Sequence, residues 1–135
     1  MDGDAGWRLP EALQELPAEV AAELVGQLIK PFQADSAVRL GRVRSAIAQA
    51  DPAALRAEVH SLKGSAAQVG ADIMASVCGE MESAIGRAST SDLVESVSSL
   101  ESHCSAAVRA MSAYSAGGKL LVLGRRDSVV AENAP

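Results

Sequence analysis

The residues best suited to chemistry lie together, in the run His60-Ser61-Leu62-Lys63-Gly64-Ser65. An imidazole is both a nucleophile and a proton carrier near neutral pH. On a helix, Lys63 would fall one turn along from it on the same side. Gly64 stands where a side chain would crowd the ring. A glycine inside a helix costs roughly 1 kcal/mol relative to alanine. Ala66 and Ala67 show that better helix formers are in use close by. The cleared space lets a bulky group approach the imidazole, or sit upon it. A phosphoryl group suits the place, because a lysine ammonium acts on phosphate as a point charge.

A helix must hold these residues. Asp51-Pro52 is a start signal, with Asp51 as the cap and Pro52 at the first position. Leu55, Val59, Leu62, Ala66 and Val69 then form one buried stripe, and Gly70 closes the helix. Arg56, His60, Lys63, Gly64 and Ala67 share the face beside that stripe. Upstream, a short helix is expected over Pro10–Leu16. A helix from Ala18 with Val20, Leu24 and Leu28 as its stripe is ended or kinked at Pro31. A further run from about Phe32 to Ala50 carries Val38, Leu40, Val43 and Ile47. Downstream, Met74, Cys78, Met81 and Ile85 stripe a helix over about Asp72–Arg87. The last helix begins at Thr90-Ser91-Asp92, with Asp92 and Glu95 at capping-box spacing. It carries Leu93, Val97, Leu100, Cys104, Val108 and Met111, and should end near Tyr114 because Gly117-Gly118 follows. The expected fold is all-α: an up-down antiparallel four-helix bundle with a short additional N-terminal helix. Residues 1–9 read as a flexible leader, 10–115 as the bundle and 116–135 as a flexible or lightly packed tail.

Composition agrees and excludes other classes. The chain has 135 residues, the size of one domain, of which 48% are hydrophobic and only 2% aromatic. The core must therefore be aliphatic, which favours helices over a sheet sandwich. Seventeen acidic against twelve basic residues leave a net charge of −5. That sign disfavours nucleic acid and anionic lipid as partners. No apolar run approaches the roughly 20 residues of a membrane span. Cys78 and Cys104 fall on apolar helical positions without CxxC spacing, so buried thiols are expected, in a reducing compartment. Glu58-x-His60 and Glu101-x-His103 have a spacing that points the two groups apart on a helix, against a carboxylate-bridged metal site. His103 has no Lys-Gly partner and reads as structural or exposed.

The string His60-x-x-Lys63-Gly64-Ser65, followed by Gly70, resembles the signature of histidine-containing phosphotransfer (HPt) domains. The likeness runs from roughly Ala18 to Ser115. It implies a four-helix bundle and a phosphorelay intermediate, a phosphohistidine carrier without autonomous kinase activity. His60 would accept a phosphoryl group on Nε2 from a receiver-domain phospho-aspartate and pass it to another receiver. Lys63 would stabilise the phosphorylated state, and Gly64 would admit the receiver. The implied partners are response-regulator receiver domains and a hybrid sensor histidine kinase. No cofactor is expected on this chain, the Mg²⁺ belonging to the receiver. A cytoplasmic monomer follows from the same picture. In many HPt domains a glutamine on the next helix hydrogen-bonds the free ring nitrogen. The corresponding position here is Glu82, with Gln68 as a substitute and Ser65, mainly a local helix bond, in a lesser role near the phosphate.

Two further expectations concern docking. Arg39, Arg42, Arg44 and Arg56 would form a basic patch near His60 if their helices are neighbours, and Leu40, Val43 or Ile47 would supply apolar docking surface. The rival function is a non-catalytic HPt-like module that binds a receiver or sensor kinase as scaffold or inhibitor.

Overall fold

The computed structural model describes residues 6–133, with side chains described through Gly118. Five helices follow in order: α1 (Glu11–Gln14), α2 (Ala18–Ala48), α3 (Pro52–Val69), α4 (Asp72–Ala84) and α5 (Thr90–Asn133). The chain is all-helical among the described residues apart from one isolated bridge, Trp7 to Ala71. Helix α2 packs on α3 and α5, and α4 on α3 and α5, so the four longer helices close a ring around one aliphatic core.

The start and stop signals around α3 act as their chemistry dictates. The Asp51 carboxylate accepts from the Ala54 N–H at 3.1 Å, and Gly70 closes the helix with φ +85. All five residues of its stripe are buried. So are Met74, Cys78, Met81 and Ile85 on and just after α4. Both cysteines are free and buried; burial pushes the Cys78 thiol up to about 12 and the Cys104 thiol in the same direction.

Elsewhere packing overrides local signals. Pro31 lies inside a continuous α2. It denies the Gln27 carbonyl a bond and costs about 3 kcal/mol, which burial of Val25, Phe32, Leu40 and Val43 along the same helix offsets. The first half of α2 buries Ala21, Ala22 and Val25, while Val20 and Leu28 face solvent, as does Val38 further on. The expected stripe is thus one residue out of register, because small alanines take the position closest to α5. At the start of α5 it is the Ser89 hydroxyl that accepts from the Asp92 N–H, at 3.1 Å, in place of the expected Asp92–Glu95 box.

Both ends of the chain carry more structure than their sequence suggests. In the supposed leader, Trp7 is buried, its indole N–H donates to the Val69 carbonyl at 2.7 Å, and its ring lies 5.5 Å from that of Tyr114. The Arg8 N–H donates to the Gly70 carbonyl and its side chain pairs with Asp72. A large aromatic ring with a backbone acceptor gains far more by burial than by fraying. Residues 1–5 lie outside the described residues. At the other end, α5 does not stop near Tyr114 as expected; it passes through Gly117-Gly118 to Asn133, across the segment from 116 expected to be a flexible or lightly packed tail. Gly118 is buried, and a Cβ there would collide with the Ala22 side chain. The glycine serves close helix contact and not chain termination. Residues 134–135 lie outside the described residues.

Candidate functional site

Helix α3 presents His60 on its side toward α4. The ring is well exposed, at 69%, and its Nδ1 lies 3.1 Å from Glu82 Oε2. The other carboxylate oxygen, Oε1, lies 2.9 Å from the Lys63 ammonium. The contact is an ion pair. Lys63, with a smaller contribution from His60, holds the Glu82 carboxyl below the usual carboxylate range, against the opposing effect of burial. An ionised carboxylate only accepts. Nδ1 therefore carries a hydrogen, and in the neutral ring the lone pair is on Nε2, on the opposite side.

The space around the ring is open. A Cβ added at Gly64 would meet nothing within 4 Å. Arg56, Lys63, Gly79, Glu82 and Ser83 line a shallow basin of about 220 Å³ between α3 and α4. The Arg56 guanidinium reaches the Ile85 carbonyl at 3.5 Å, tying the end of α4 to α3. What results is a nucleophilic nitrogen, oriented from behind, with a cation one turn away and no side chain blocking approach.

The family model described as the Hpt domain matches residues 27–113, well over half of the chain. This chain belongs to the Hpt domain family. Hpt domains are phosphotransfer modules of two-component signalling, carriers rather than catalysts, and they work with receiver domains and kinases. No curated protein and no solved structure matches the chain. No helix among the described residues is long and apolar enough to cross a membrane.

Within this Hpt domain the sequence-predicted residues divide. His60, Lys63, Gly64 and Glu82 come together. Ser65 and Gln68 do not: the Ser65 hydroxyl donates to Asp35 at 3.2 Å, and Gln68 lines a groove with Leu28, Pro31 and Phe32 on α2. The helical turn carries both toward α2 while His60 faces α4, so neither is the orienting residue, and Ser65 bonds across helices instead of locally. The expected basic patch is also dispersed. Arg39 pairs with Asp35 and Glu58, Arg42 with Glu58, and Arg44 with Glu101 on α5. Arg56 alone of the four lines the basin. Leu40, Val43 and Ile47 are buried in the core and offer no docking surface. Sequence reasoning missed Gly79 and Ser83. The signal was present in Gly79-x-x-Glu82, which puts a second small residue one turn from the carboxylate.

Proposed function

We propose that this protein is a phosphorelay intermediate in which His60 is the phosphoacceptor. The observation that carries the reading is the exposed imidazole whose Nδ1 is engaged by Glu82, leaving Nε2 free toward solvent. The Nε2 lone pair attacks the phosphorus of a receiver acyl phosphate. The N–P bond forms, the P–O bond to aspartate breaks, and its electron pair returns to the carboxylate. Passing the group onward reverses these events on a second receiver. Such transfer needs positioning and charge neutralisation more than covalent help from the carrier.

Each neighbour has a part. Glu82 fixes the ring and its tautomer. Lys63, paired with Glu82 in the resting protein, swings its ammonium to the incoming phosphoryl oxygens. Gly64 admits the receiver's surface. The receiver brings the Mg²⁺ and the acidic pocket; the chain acts as a cytoplasmic monomer and receives its phosphate through a hybrid sensor kinase. We read the bundle as up-and-down, since the connections between its long helices are short. The test is incubation with a phosphorylated receiver domain. An acid-labile, base-stable phosphate on the native chain and none on His60→Gln is expected. Stable receiver binding with no label on the native chain would replace this reading with a docking module.

A further inference from the structure

Glu82 faces the ring nitrogen that does not bond to phosphorus. When Nε2 gives its lone pair to phosphorus, the hydrogen on Nδ1 is not consumed. The ring then carries a positive charge shared by its two nitrogens, beside the phosphoryl dianion. The fate of that hydrogen governs the next step. If it stays, breaking the N–P bond releases a neutral imidazole. If it leaves, the departing group is an imidazolate, which is far poorer. A neutral acceptor such as an amide oxygen can orient the ring, whereas a carboxylate also stabilises the new charge on it. The charged group facing the ring is Glu82 from α4, which also pairs with Lys63 on α3, while Arg56 on α3 lines the adjoining basin. On the α2 side, Arg39 and Arg42 are paired with Glu58. Without the Glu82 charge, no carboxylate would face the Nδ1 hydrogen, and the phosphorylated ring would hold it less firmly.

Resting on the phosphoacceptor reading above, we propose that Glu82 is a positioning residue that keeps the Nδ1 hydrogen on phosphorylated His60, so that the phosphoryl group stays readily transferable at neutral and mildly alkaline pH. A glutamine at this position orients the ring equally well and yields a longer-lived, slower phosphohistidine.

The full chain is phosphorylated with phosphoramidate, and loss of the phosphoryl group to water is followed by ³¹P NMR across the neutral to alkaline range. Native protein, Glu82→Gln, Glu82→Asp and Lys63→Met are compared. The decline in rate with rising pH is expected about one pH unit lower in Glu82→Gln than in the native chain, which is about a tenfold slower loss where the two profiles diverge. Glu82→Asp should recover part of the shift, and Lys63→Met, which removes a cation and keeps the carboxylate, should move the profile the other way. Superimposed native and Glu82→Gln profiles, or displacement of Glu82→Gln toward higher pH, overturn the proposal while leaving the phosphoacceptor reading intact. If neither phosphoramidate nor a phosphorylated receiver labels His60 in the native chain, the phosphoacceptor reading falls and takes the proposal with it.

Discussion

Gly64 and Gly118 are both glycines inside helices, and both cost helix stability relative to alanine. The reasons for keeping them are opposite. At Gly118 a Cβ would strike Ala22, so the glycine lets α5 lie against α2. Gly26 on α2 is of the same kind, since a Cβ there would come within 2.5 Å of the Ser115 hydroxyl. At Gly64 a Cβ would meet nothing. No packing inside the molecule requires that glycine, which supports the proposal that it clears the approach to His60. Gly41 and Gly117 are as uncrowded as Gly64, so it is the place of Gly64 one turn from His60 that sets it apart.

This contrast can be broken by substitution. Gly118→Val should have the largest effect, a loss of about 1–3 kcal/mol from overpacking, read from the denaturant midpoint. An unchanged midpoint would mean that the helices simply move apart and the glycine is incidental. Gly64→Ala should do the reverse: stability rises by about 0.5–1 kcal/mol, while receiver-to-His60 transfer, followed by rapid quench, slows by about tenfold, a barrier increase of about 1.4 kcal/mol. Equal transfer rates would make Gly64 as structural as its counterpart.

Glu82 sharpens the contrast at the site itself. Its carboxyl is held below the usual range by Lys63 and His60, so the unfolded chain takes up the proton at a higher pH than the folded chain does. The stabilisation is present above the ordinary carboxylate range and is lost as pH falls through the depressed folded value. Melting temperatures of native protein and Glu82→Gln should therefore converge as pH falls through that range. Parallel curves would show that the carboxylate is not energetically coupled to its partners. The smallest effect is at Ala50, which takes a left-handed φ of 51 in the turn before Asp51. Ala50→Gly should stabilise the fold by about 0.5–1 kcal/mol, and a loss would show that this turn is not strained.

The comparison also explains what was legible in the sequence. The α3 stripe, its Asp51 and Gly70 ends and the His60-Lys63-Gly64 face could be read because each depends on contacts within one helix. Glu82 was placed by counting turns on α4, which works for a short regular helix. The readings that failed depend on which helices meet. Gly117-Gly118 looks like a stop unless α2 is known to press against it. Val20 and Leu28 look like a stripe unless Ala22 is known to take the inner position. The arginines look like a patch until Glu58 and Glu101 pair with them. Leu40, Val43 and Ile47 are apolar in either role, and only the neighbouring helices decide that they form core. Trp7 was hidden by a leader without periodicity, although a lone tryptophan in an aromatic-poor chain was itself a signal of burial.

The most direct test of the account is the position of the phosphoryl group on the ring. ¹⁵N–³¹P correlation NMR on the labelled, phosphorylated chain would read it. The account predicts coupling of phosphorus to Nε2 of His60, with a hydrogen retained on Nδ1 beside Glu82. Phosphorus on Nδ1, on His103, or on no histidine would contradict it.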